Sequence, residues 1–198
     1  MPDSVWTPVA LSSDLPPRLV IPTTLNGQDI AVWRSESGKV HAWNDRCPHR
    51  GMRLSHGFVR GELLSCIYHG WRYDGEGICR KIPAHPDLEP PTTIRVPSWR
   101  CEEAGGVIWV AAADAEGMPH AATGFEPLRS IRVDAQADEV TEAIAATDAD
   151  WTIYVQPMAD GAILHALMPE GASLETRIAA SRALEFLRLT LEAGKDAA

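Results

Sequence analysis

CPHRGMRLSHGFVRGELLSCIYHGW, residues 47–71, decides how this chain is read. Cys47 and His49 are separated by one residue, Cys66 and His69 by two, and sixteen residues lie between the pairs. A lone cysteine is ordinarily a small buried hydrophobe. Two Cys–His pairs in one short stretch are different, because each pair sets a thiol and an imidazole on one turn, within reach of a common centre. Gly51 and Gly70 come after the two histidine turns and let the backbone come close to whatever is bound. Cys47, His49, Cys66 and His69 are therefore candidate ligands of one metal centre.

Working outward, the segments on either side read as short strands between turns. Residues 18–21, 29–34, 40–43, 62–65, 71–73, 94–100 and 107–110 are the candidates, and Asn26-Gly27, Ser37-Gly38, Asp74-Gly75 and Gly105-Gly106 are turn pairs. This is the profile of a small antiparallel β domain over residues 1–112. Residues 113–130 are rich in alanine, glycine and proline without a period and read as a linker. From 131 to 198 a small α+β region is expected. Six acids against one base over residues 132–150 suggest a solvated strand-and-loop face, Asp160-Gly161 a hairpin turn, and Ser173 a helix N-cap. Ala180, Leu184, Leu187 and Leu191 then mark one helix face, with Gly194 ending the helix and KDAA a frayed tail.

The net charge of −9 argues against nucleic acid and anionic membrane surfaces as partners. No apolar run is long enough to span a bilayer, and no leader is read at MPDSVWTPVA, so a cytoplasmic setting is expected. Four cysteines are too few for a disulfide scaffold; Cys79 and Cys101 are expected to be core thiols. Six of the seven tryptophans, 6, 33, 43, 99, 109 and 151, read as core or interface aromatics. Arg50 and Arg72 are expected in local salt bridges.

Two centres suit two thiols and two imidazoles. Zinc accepts such a shell, but zinc fingers pair like with like, Cys with Cys and His with His. A [2Fe–2S] cluster of the Rieske kind uses two thiolates on one iron and two imidazoles on the other. Here each loop offers one sulfur and one nitrogen, which suits the cluster, with the sulfurs inside and the histidines outside.

Cys47-Pro48-His49-Arg50-Gly51 with Cys66-Ile67-Tyr68-His69-Gly70-Trp71 resembles the Rieske signature, in the version found at the N-terminus of ring-hydroxylating and demethylating oxygenase large subunits. YDGEGICRKIPAHP, residues 73–86, and GGVIWVA, residues 105–111, are similar to the segments downstream of the cluster loops in that family. The resemblance implies Cys47 and Cys66 on one iron and His49 and His69 on the other, with Gly51, Tyr68, Gly70 and Trp71 around them and Tyr68 and Trp71 shielding the cluster from water. Where respiratory Rieske proteins have a serine after the second His-Gly, this chain has Trp71, so fewer hydrogen bonds to sulfur and a potential near the low end, about −150 mV, are expected.

The resemblance also implies a mononuclear iron site of an acid and a His-x₄-His pair. No two of His41, His56, His85, His120 and His165 stand five apart, and Asp160 with His165 lacks a second histidine. The oxygen-activating domain is thus expected to be absent, with residues 151–189 resembling a closing hairpin and helix. The implied role is electron transfer, or an accessory subunit, between a flavin or ferredoxin reductase and an iron-containing oxygenase subunit, with oligomer contacts through the C-terminal region. A complete oxygenase with an unrecognised iron site and a zinc-binding structural module are the alternatives.

Overall fold

A computed structural model describes residues 6–147 and 150–193. Its elements, in chain order, are β1 (Thr7–Leu11), β2 (Val20–Leu25), β3 (Gln28–Arg34), β4 (Val40–Asn44), β5 (Phe58–Arg60), β6 (Leu63–Ser65), β7 (Arg72–Tyr73), β8 (Cys79–Lys81), β9 (Ser98–Ala104), β10 (Val107–Ala111), β11 (Phe125–Val133), α1 (Ala137–Ala145), β12 (Thr152–Met158), β13 (Gly161–Pro169) and α2 (Leu174–Ala193). The fold is mainly antiparallel β, as expected. It divides into two compact units. One gathers Asp14–Glu102 and Trp109–Pro119 with Trp6 and Thr7; the other gathers Pro8–Ser13, Glu103–Ile108 and the described residues from His120 onward.

In the first unit β2, β3 and β4 form an antiparallel meander, in register Val20↔Trp33 and Ile30↔Asn44, and β9 joins β4 at Ala42↔Trp99. Ile30, Ala31, Val32 and Trp33 of β3 are all fully buried, so the strand is covered on both faces and reads as a continuous apolar run. A second sheet runs β5-β6-β7-β8, each strand antiparallel to the next. The core contains Trp33, Trp43, Leu54, Leu64 and Tyr73, together with Cys47, Cys66 and Cys79. Trp33 meets Trp43 edge-on at 4.9 Å between ring centroids, and Trp43 meets Tyr73 at 6.3 Å. This aromatic file runs from the meander to the two cysteine-bearing loops, and its edge-to-face geometry is the favoured one.

In the second unit β13 lies between β11 and β12, antiparallel to both, in register Ser130↔His165↔Tyr154. Val133, Val140, Leu164, Ala166 and Leu184 form its core, with Leu187 and Leu191 packed at the edge. The predicted face of α2 is therefore the buried one. Ser173 caps the helix, its hydroxyl accepting the Thr176 N–H at 3.1 Å. Gly194 and the KDAA tail lie outside the described residues.

Several elements depart from the sequence reading. The strand expected at 94–100 begins only at Ser98, and β1, β5 and β8 fall where the sequence predicts connections. β11 occupies part of the stretch that reads as linker. Pro127 argues against a strand because it lacks an N–H, and the sheet accommodates it with a register shift between Pro127 and Arg129. The acidic stretch contains a helix, α1, rather than a strand-and-loop face. Its first turn is acidic, as the helix dipole favours, and the Glu139 carboxylate accepts the Gln136 N–H at 3.1 Å. The hairpin turn is Ala159-Asp160, with Gly161 already paired to Met158.

Candidate metal centre

The two cysteine-bearing loops have the same backbone frame. In the first, the Cys47 N–H donates to Met52 O at 2.8 Å and the Gly51 N–H to Cys47 O at 2.8 Å. In the second, the Cys66 N–H donates to Trp71 O at 2.9 Å and the Gly70 N–H to Cys66 O at 3.0 Å. Each loop is thus six residues long, opened by cysteine and closed at the fifth position by glycine. Gly51 and Gly70 have φ of 73° and 72°, in the left-handed region that a side chain disfavours. Histidine occupies the third position of the first loop and the fourth of the second, which is the physical content of the two unequal Cys–His spacings.

Both frames are anchored. β6 leads into the second loop and β7 leaves it. The first is tied down by Asp45, whose side chain is fully buried. Its carboxylate accepts the Ser55 N–H at 2.7 Å and the Ser55 hydroxyl at 2.5 Å, joining the two ends of the segment that carries Cys47 and His49.

Cys47 and Cys66 are buried, whereas His69 is exposed and His49 half-buried. The imidazoles are neighbours, 4.6 Å between ring centroids. Trp71 of the second loop stacks on His49 of the first at 4.3 Å, nearly parallel at 6°. Tyr68 lies against His69 at 3.9 Å but is itself exposed. The Tyr73 hydroxyl reaches the Cys47 sulfur at 3.1 Å. Burial pushes the Cys66 thiol above its usual pKa, with Cys47 beside it adding to the shift. Burial likewise raises Tyr73, aided by its bond to Cys47. His49 is lowered by its partial burial and by His69 and Arg50 nearby, which favours the neutral imidazole that metals require.

This donor set fits a cluster better than a single ion. Among the described residues, no three His, Cys, Asp or Glu side chains gather closely enough to hold one metal. The thiols form an inner pair and the imidazoles an outer pair. Nδ1 of His49 is buried without a hydrogen-bond partner, a costly state for a polar atom. A two-iron group held between the pairs would satisfy it.

The remaining predicted residues fall elsewhere. Cys79 is buried in the same core and Cys101 half-buried in β9. Arg50 is exposed and, among the described residues, forms no ion pair; Arg72 has a buried Nε without a partner, so the expected local salt bridges are not made. Asp160 pairs with Arg132 at 2.7 Å, while buried His165 meets Ser130 at 3.0 Å and Gln156 at 3.3 Å, so the two do not converge. Asp45 and Tyr73 escape a reading of the sequence alone. Their signal is present as the residue two before Cys47 and the residue two after Trp71, but burial and hydrogen bonding decide their roles.

Residues 5–100 match the family described as Rieske [2Fe-2S] domain. The chain is 47% identical over 115 residues to oxidoreductase NdmD of Pseudomonas putida, a match covering 58% of this chain and 20% of that protein. It is 40% identical over 126 residues to 4beta-methylsterol monooxygenase of Methylococcus capsulatus, covering 60% of this chain and 34% of that one. The chain thus spans about a third or less of the length of these relatives. Among solved structures, NdmB of Pseudomonas putida CBB5 superposes with a TM-score of 0.73 at 18% identity, over 96% of this chain and 82% of that one, a likeness of fold alone. The match is to an iron–sulfur domain, which sets the zinc reading aside.

Proposed function

Residues 5–100 of this chain are a Rieske [2Fe-2S] domain, and from that premise we propose that it carries single electrons from a flavin or ferredoxin reductase to a non-haem iron oxygenase component. In this reading Cys47 and Cys66 hold one iron, and His49 and His69 the other. When bound, the cluster supplies one reversible electron. The chain supplies the setting. The observation that carries the reading is the polarity of the site, with both thiols buried and His69 at the surface. Burial of Cys47 and Cys66 excludes water from the sulfurs, the stacked Trp71 holds the His49 ring, and the exposed histidine end is the electron exit. The relatives support an oxygenase setting, since one is an oxidoreductase and another a monooxygenase. No helix of the described residues is long and apolar enough to cross a membrane. We assign the chain to the cytoplasm, and its C-terminal region to assembly.

The test is iron and acid-labile sulfide on anaerobically purified protein, followed by reduction with a flavin-dependent reductase. About two of each per chain and uptake of one electron are expected. About three irons with two sulfides would instead make the chain an oxygenase, and zinc without sulfide would overturn the reading.

Tyr73 modifies the expected potential. The sequence alone leaves the sulfurs poor in hydrogen bonds, yet the Tyr73 hydroxyl sits 3.1 Å from the Cys47 sulfur. A hydroxyl donating to sulfur stabilises the more negative, reduced state. If that preference is about 1 kcal/mol, one-electron conversion makes it about 40 mV. Tyr73→Phe should lower the midpoint potential by about that amount, read by spectroelectrochemical titration with iron content unchanged. An unaltered potential would show that the hydroxyl does not tune the cluster.

A further inference from the structure

Helix α2 has two apolar faces. Leu184, Leu187 and Leu191 turn one towards the core of its unit. Leu174, Ile178, Phe186 and Leu189 form another and are exposed, by 73%, 44%, 72% and 51%. At about 100° per residue the exposed stripe is centred opposite the buried one, and it runs for about 22 Å along the axis. Single exposed apolar residues are normal, but a contiguous stripe on a helix marks an interaction surface.

The charges on α2 say what fits it. Arg177 pairs with Glu126 at 2.5 Å, Arg188 pairs with Glu185 at 2.6 Å and Glu192 at 2.5 Å, and Arg129 also reaches Glu185. Glu175 and Arg182 are the exceptions. Both lie within the apolar stripe, and among the described residues neither has an ion-pair partner. They line a groove of about 530 Å³ with Leu174, Ile178 and Ala179. One acid and one base, seven residues apart about a small central residue, make a self-complementary surface.

We propose that this face pairs with the same face of a second copy of the chain, antiparallel, with the two-fold axis at Ile178–Ala179. That axis sets each Glu175 opposite the other copy's Arg182, and does so twice. It sets Ile178 against the other copy's Ala179, where the helices can approach closely, and overlaps residues 174–183 of each helix, with Phe186 passing just beyond the first residue of the other. An axis at Arg182 would cover more apolar length but oppose two arginines, and a parallel pairing would oppose like charges throughout; both are disfavoured. A two-fold contact uses one patch on both partners and closes on itself, so no further copies are recruited. The contact is one helix wide, at the small end of specific interfaces, so the association is weak and falls in the micromolar range. The pairing goes beyond the electron-carrier reading, which stands or falls on iron, sulfide and reduction whether or not the chain pairs.

The experiment is sedimentation velocity of the full, cluster-loaded chain from about 1 to about 100 μM, the span over which a micromolar dimer forms. A concentration-dependent shift from monomer to dimer is expected. Ile178→Glu should weaken it by about tenfold or more, as should Glu175→Arg and Arg182→Glu singly, while the double charge exchange restores the dimer to within about threefold of the parent. Iron and sulfide, measured on each variant, should not change, so a loss of pairing is not a loss of the other unit's fold. A monomer throughout, a dimer indifferent to Ile178→Glu, or a double exchange no better than the singles would each overturn the proposal.

Discussion

Replacing Cys66 with serine is expected to take iron and acid-labile sulfide from about two of each per chain to essentially none. A serine hydroxyl is nearly the size of the thiol and would disturb the buried core little. It differs in acidity and softness, and those are what a cluster ligand needs. Burial already raises the Cys66 thiol, while the backbone N–H groups of Tyr68 and His69 act to lower it. Those donors are aimed at a sulfur that has lost its proton, and an alkoxide would not form there. Since metal binding and folding of such sites are linked, the thermal midpoint should fall together with the iron. Cys101→Ser is the control: Cys101 lies in β9, outside both loops, and the variant should keep its full complement. Iron retained in Cys66→Ser would remove Cys66 from the ligand set and break the paired-loop reading.

Gly57→Ala is expected to be nearly as damaging, for a reason independent of metal. Gly57 has φ of −77°, which any residue adopts, so its importance is not conformational. An added Cβ would lie 2.8 Å from Leu54 O and still closer to Ser65 O, both backbone atoms that cannot swing aside. Ser65 is the last residue of β6, paired with Phe58, and Cys66 comes directly after it. The methyl group therefore forces apart the strand pair that delivers the second loop. A loss of about 2–3 kcal/mol in stability is expected, at the upper end for overpacking, together with reduced iron content. Urea unfolding of the purified variant measures the first and a colorimetric assay the second. A variant with parental stability and iron would show that β5 and β6 yield without moving Cys66.

The two cysteine-bearing loops are legible in the sequence because their chemistry is local. Cys47, His49, Gly51 and their counterparts lie within a few residues of each other, and both frames close within six. The meander is legible for the same reason: Asn26-Gly27 fixes a two-residue turn, and the apolar runs on either side are short. The features that escape the sequence depend on distant partners. β11 hides behind Pro127, which only the register shift against β13 makes tolerable. The acids of α1 read as solvent-facing, which they are, but the helix is decided by Val140 packing into a core assembled from four other elements. Asp45 looks like one more surface acid; only the fold brings it to Ser55, ten residues away, and buries it. Tyr73 looks like the end of a short strand until β7 sets its hydroxyl on Cys47.

The shared frame of the two loops bears on how the proposed carrier could diversify. Closure is carried by backbone amides and by glycine, so the residues at the loop crests other than the histidines, Pro48 and Arg50 in one and Ile67 and Tyr68 in the other, take no part in it. On the proposed reading, retention of the cluster and recognition of a redox partner would be written in different atoms of the same dozen residues. The exposed crest side chains of Pro48 and Ile67 can change without disturbing the backbone frame beneath. On that reading, surface substitutions at these positions would move the chain from one electron-transfer partner to another.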